Sequence, residues 1–137
     1  MLEYLRNKGT LIKVSLLFLL PLLSVILLGC REDREASLRE RAETYNRLYR
    51  WKKVEEASIF VKPDKREKYL EEVEPLMEQL NINDYQIGKV TLRDNDSRAK
   101  VQVKRTFFLL PSVIERKEIQ EQEWLFIQGQ WYLESNY

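Results

Sequence analysis

The period of the hydrophobic pattern changes once along this chain of 137 residues, and that change constrains the fold more than any other feature. From residue 37 to 80 the apolar positions recur at three- and four-residue spacing, as on one face of a helix. After Leu80 they alternate, as on one face of a strand. Helices come first and strands second, without interleaving. That order belongs to an α+β domain rather than to a parallel-sheet α/β unit.

The helical half reads as three pieces. Ser37-Leu38-Arg39-Glu40 has the form of a capping box, with the acidic Glu32-Asp33 offering a start one turn earlier. Leu38, Ala42, Tyr45, Leu48 and Tyr49 then share a face. The stripe runs on less regularly through Trp51, Val54, Ala57 and Ile59-Phe60-Val61, which predicts a bend and a short second helix. Pro63 stops it, and Asp64 with Glu67 resembles a capping box for a third helix bearing Tyr69, Leu70, Val73, Leu76, Met77 and Leu80. Pro75 lies inside that helix and predicts a kink or a division.

In the strand half, Tyr85 and Ile87 hold one phase and Val90 and Leu92 the other, so the slip at Gly88 predicts a bulge. Asp94-Asn95-Asp96 reads as a plain turn, since Arg98 and Ala99 stand where a calcium loop needs a ligand and a glycine. Ala99, Val101, Val103 and Phe107 then face one way, and Lys100, Gln102, Lys104 and Thr106 the other. Leu110-Pro111-Ser112 interrupts, and a run over 113–127 follows, polar in its middle and apolar at its end. Gln128-Gly129-Gln130 turns the chain into Trp131-Tyr132-Leu133. The prediction is N-terminal helices packed on an antiparallel sheet of about four strands. Runs over 98–110 and 113–127 would measure about 43–50 Å if straight, against a radius of gyration near 13 Å for a domain of this size. The sheet is therefore expected to curl into a cone-like shape.

Composition removes several classes of function. The chain has one cysteine and no histidine. No intramolecular disulfide, Ser-His or Cys-His pair, or histidine-ligated metal is available. Neither a metal nor another cofactor is expected. A net charge of +1 argues against a nucleic-acid binder held by counterion release.

The cysteine has a particular setting. Val14 to Leu28 is fifteen residues without a charge, preceded by Arg6, Lys8 and Lys13, which describes a secretory signal peptide. A membrane span needs about 20 residues, and Pro21 breaks this run. An uncleaved anchor and a plain secretory signal with an accidental cysteine are the alternative readings. The run ends in Leu27-Leu28-Gly29-Cys30, which resembles the lipobox of bacterial lipoprotein precursors. The resemblance implies cleavage between Gly29 and Cys30, a diacylglyceryl group on the Cys30 sulfur, and acylation of the new amino terminus. Each buried methylene contributes about 0.8 kcal/mol, and two or more acyl chains anchor stably where one does not. Arg31 follows the cysteine, so in a host with two membranes the resemblance implies the periplasmic face of the outer membrane.

The expected organisation is a signal peptide over 1–29, a short lipidated tether over 30–36 and a cone-like domain over 37–137. Residues 30–137 carry 20 basic and 21 acidic side chains, a balance of −1. The order of elements, with Trp124, the Gly129 hairpin and Trp131-Tyr132-Leu133 closing the sheet, resembles the nuclear transport factor 2-like superfamily, also called the cystatin-like cone. The resemblance implies a cone whose mouth holds a ligand, an active site or nothing. Its dehydratase version is excluded by the missing histidine. An isomerase-like site needs a carboxylate in an apolar pocket, for which strand phase offers Glu115 and Glu123, each otherwise read as a solvated carboxylate.

Arg105 continues the inward phase of Ala99, Val101 and Val103 and is a candidate contact for an anionic ligand. A bulge near residue 104 would turn it outward instead. Tyr45, Tyr49 and Tyr69 form an aromatic stripe expected in the core, and Arg34, Arg39, Arg41 and Arg47 read as a solvated helix face. The leading expectation is a non-enzymatic binding or interaction module, held to the membrane by lipid on Cys30, with an envelope protein or a small ligand as partner. A small cone enzyme using Asp or Glu with Tyr is the first alternative. A structural accessory subunit docking through its exposed sheet is the second.

Overall fold

The computed structural model describes residues 33–137, in the order of three helices followed by four strands. Gly29 and Cys30, and with them the signal and tether boundaries, lie outside the described residues.

The first helix, α1, covers 33–50. It begins before the expected cap, so Ser37 lies inside it and residues 33–36 are helix rather than tether. Its other end closes on Lys52, which takes the left-handed conformation at φ 60°. There Lys53 N donates to Leu48 O and Lys52 N to Tyr49 O, both at 3.0 Å, the paired bonds of a Schellman motif. The Lys52 ammonium also donates to Met77 O at 2.8 Å, tying this turn to the end of the third helix.

The short second helix, α2, is Val54–Ser58. A 3-10 turn over Pro63–Lys65 leads into α3, Arg66–Met77. The expected capping box is not formed. Lys65 precedes α3 without a side-chain cap bond, and Asp64 instead pairs with Lys62 at 3.3 Å. Pro75 does not divide a longer helix, because α3 ends two residues later at Met77.

The strands are β1 (Leu80–Arg93), β2 (Arg98–Leu109), β3 (Arg116–Ile127) and β4 (Gln130–Ser135), antiparallel in the order β1-β2-β3-β4. The sheet is curled and unclosed. Register shifts occur between Ile82 and Asp84 and between Ile87 and Val90, the second around the expected bulge at Gly88. A β-carbon at Gly88 would stand 3.3 Å from Gln102 O, so the strands approach closely there. The turn after β1 places Asp94, Asn95 and Asp96 at φ 51°, 54° and 61°, a conformation that short polar side chains tolerate. Gln128 and Gly129 are both at positive φ, as a tight hairpin between β3 and β4 requires. Residues 113–115, expected in a strand, belong to the β2–β3 loop.

The core lies between the helices and one face of the sheet. Leu38, Ala42, Tyr45 and Tyr49 of α1, Tyr69 and Val73 of α3, Ala99, Val101 and Val103 of β2, and Trp124, Trp131 and Leu133 form one buried cluster. Tyr45 meets Trp124 edge to face at 6.2 Å, joining helix to sheet with geometry aromatic rings favour. Arg41 is not part of a solvated face. Its Nε donates to Trp131 O at 2.7 Å and its guanidinium lies 4.6 Å from the Phe60 ring, and burial lowers its pKa. No helix of the described residues is long and apolar enough to cross a membrane.

The outer edges of the sheet are covered unequally. Along β1, the Arg39 guanidinium donates to Gly88 O at 3.2 Å and that of Arg50 to Asn83 O. Along β4, Lys62 N donates to Leu133 O and Leu133 N to Phe60 O, at 2.9 and 2.8 Å. β4 itself pairs only with the Glu123–Ile127 half of β3.

Candidate functional site

Arg105 turns inward. No bulge rotates it outward, because the β2–β3 register is unbroken from Arg98 to Phe107. It is 5% exposed, in line with Ala99, Val101 and Val103. Its Nη2 donates to Asn46 Oδ1 at 3.2 Å, and its guanidinium carbon lies 4.7 Å from the Tyr49 ring centroid. Among the described residues no carboxylate forms an ion pair with it, and its buried Nε has no hydrogen-bond partner. A guanidinium enclosed in this way is costly for a fold unless it is paired, so its place in the core asks for a reason beyond packing.

Asn46 is the hub of the arrangement. Its Nδ2 donates to Ala42 O at 2.8 Å and to Gln122 Oε1 at 3.1 Å, while its Oδ1 accepts from Gln122 Nε2 at 3.1 Å as well as from Arg105. Every polar atom of both amides is engaged, which makes their burial affordable to the fold. Helix α1 thereby meets β2 and β3 at a single polar junction. Neither Asn46 nor Gln122 was expected there. Gln122 shares the inward phase of Trp124, and that parity was the available signal.

Tyrosines surround the junction. Tyr45, Tyr49 and Tyr69 are buried, as the stripe predicted. Burial raises the pKa of all three hydroxyls. At Tyr49 the Arg105 charge opposes that rise and the Glu118 charge adds to it. The hydroxyls of Tyr45 and Tyr69 act on each other, and neither has a hydrogen-bond partner outside this pair. Next to them Gln120 Nε2 donates to Tyr137 O at 2.7 Å, and Tyr137 packs edge to face on Tyr69 at 4.9 Å.

The two carboxylates offered by strand phase do not enter this interior. Glu115 sits in the exposed β2–β3 loop and accepts from Asn83 Nδ2 at 3.0 Å. Glu123 lies on the outer face, 3.9 Å from Lys100 Nζ, and accepts from Ser135 Oγ at 3.3 Å. A different carboxylate stands beside a tyrosine: Tyr85 Oη donates to Glu43 Oε1 at 2.6 Å. Burial and that contact together raise the Tyr85 pKa. Glu43 is nevertheless exposed, so the pair lacks the apolar enclosure an acid–base site requires. The outer face of β1, β2 and β3 carries an open groove of about 530 Å³ lined by Asp84, Gln86, Lys104, Thr106, Lys117 and Ile119.

Compared with known proteins, the chain matches no protein-family model and no curated protein. It is similar in structure to a SEC-C motif containing protein from Rhodopseudomonas palustris, solved in solution. The identity is 15% and the TM-score 0.61, over 74% of this chain and 78% of that one. At that identity the likeness is one of fold.

Proposed function

We propose that this protein is a lipid-anchored lipoprotein of the cell envelope whose mature domain, of the cystatin-like cone type, is a binding or interaction module. The observation that carries the anchoring is Cys30. The one cysteine of the chain stands directly after Leu27-Leu28-Gly29, at the end of a charge-free run that follows three basic residues. In this reading cleavage before Cys30 and acylation of its sulfur and amino group supply the two or more chains that hold a protein stably at a bilayer. Arg31 then directs it, in a host with two membranes, to the periplasmic face of the outer membrane.

Use of the domain for binding is supported by how its polar groups are spent. Arg105 and Asn46 bond to other interior groups, while Glu115 and Glu123 face water. Large apolar side chains at Trp51, Val113, Ile114 and Ile119 stand in solvent, where they suit contact with a partner. An acid–base enzyme built on Glu43 and Tyr85 is the second reading, favoured by their 2.6 Å hydrogen bond alone.

The test is expression of the full chain and of Cys30→Ser in a bacterial host. The substitution is expected to stop precursor processing and to abolish membrane partitioning. Unchanged processing and partitioning would sink the anchoring reading.

A further inference from the structure

The first half of β3 is a stretch of sheet edge that no other strand of the described residues pairs. Ladder pairing with β4 begins only at Glu123, so Arg116 to Gln122 extend beyond it. Backbone direction along this stretch follows from two bonds. Phe126 N donates to Ser97 O on the β2 side, whereas Glu121 O accepts from Asn136 Nδ2 on the other. Since peptide groups alternate sides along an antiparallel strand, Lys117, Ile119 and Glu121 present their N–H and C=O groups to the open side. An unpaired edge of this kind is a template for another strand.

We propose that this edge pairs antiparallel with the same segment of a second copy of the chain, about a two-fold axis at Ile119. The charge pattern, together with the β4 ladder that already holds Glu123, selects both occupant and register. Centred on Ile119, Lys117 of one copy faces Glu121 of the other, twice, and Glu118 faces Gln120. Centred on Lys117 or Glu118, identical charges would stand face to face, which destabilises a strand pair. A two-fold contact of this type is self-complementary by construction. It also gives the exposed Ile119, at 63%, its own counterpart as an apolar neighbour. The same register carries Val113 and Ile114, 78% and 71% exposed, toward the 135–137 end of the other copy. Asn136 lies at the limit of the paired stretch, where it shares the Glu121 carbonyl, an acceptor with two lone pairs.

The test uses the full chain in a neutral, density-matched detergent, with mass read by sedimentation equilibrium. A dimer is expected. Lys117→Glu alone and Glu121→Lys alone should each weaken the dimer at least about tenfold, because each sets like charges opposite one another. An equimolar mixture of the two variants should recover it, since every facing pair is then of opposite sign. Glu121 also bonds to Lys100 at 3.2 Å, so Ile119→Asp serves as a second disrupting variant should Glu121→Lys alter the fold by circular dichroism. A monomer at all concentrations, or a dimer that survives Lys117→Glu and Ile119→Asp, overturns the proposal. The latter outcome would assign self-association to another surface, the apolar segment before Cys30 included.

Discussion

Asn46 and Gln122 exchange two hydrogen bonds of 3.1 Å across the interior, each amide acting as donor and acceptor to the other. This reciprocity fixes how α1 sits on the sheet, because a slip of one residue on either side would leave two buried amides unpaired.

Truncating the hub should therefore be expensive. Asn46→Ala strands both ends of Gln122 and removes the Arg105 acceptor, and is expected to cost about 2–4 kcal/mol. Gln122→Ala should cost about 1–3 kcal/mol. In a double-mutant cycle the two losses should fall short of additivity by about 0.5–3 kcal/mol. Urea denaturation of the two single variants and the double variant checks this, and strict additivity would mean the pair is not formed.

Arg105 should behave in the opposite way. It is a buried cation without a carboxylate, so Arg105→Met, which keeps most of the volume, is expected to leave stability within about 1 kcal/mol or to raise it. Arg105→Glu should unfold the domain, since nothing in its surroundings compensates a buried anion. Thermal denaturation distinguishes the two substitutions. A large loss in the methionine variant would assign the guanidinium a structural role.

The tyrosines set the alkaline limit. Tyr45, Tyr49 and Tyr69 have pKa values raised by burial, so the folded chain retains protons that the unfolded chain releases above about pH 10. Their contribution is fully present below that pH and is lost as pH rises toward their native pKa values. The expected slope is about 1.4 kcal/mol per pH unit for each tyrosine. Denaturation midpoints followed alongside tyrosinate absorbance check it. These three side chains should ionise together with unfolding rather than before it.

The end of α1 offers a backbone test. Lys52 holds φ at 60°, where a β-carbon is strained. Lys52→Val should destabilise by about 1–3 kcal/mol, because a β-branched residue is an outlier in that region. Lys52→Ala should cost much less, the difference between the two isolating the conformational part. Loss of the Lys52 Nζ bond to Met77 O is common to both variants and cancels in that comparison.

Much of the fold was legible because burial imposes a period. Tyr45, Tyr49 and Tyr69 lie in the core for the reason their spacing indicated, and Arg105 lies inward because a strand without a bulge cannot change phase. The slip at Gly88 was visible as a change of parity. The polar junction was harder to see. Asn46 interrupts an apolar stripe and Gln122 a polar run, and only the three-dimensional meeting of two amides makes either one suitable for burial. Arg41 misled for a related reason: its neighbours in sequence are charged, whereas its neighbours in space are Phe60 and the backbone of Trp131. Helix ends were the least legible. Ser37 lies within a continuing helix instead of capping one, and Asp64 found Lys62 before it could cap α3.

The uneven covering of the sheet limits what this protein can build. Arg39 and Arg50 occupy carbonyls along β1, and residues 60–62 close β4. A strip with two open sides can add copies without end and grow into a fibril. A strip with one open side is exhausted by a single addition. At Gly88 and Asn83 the guanidiniums of α1 stand where a further strand would have to bond, which opposes addition along β1.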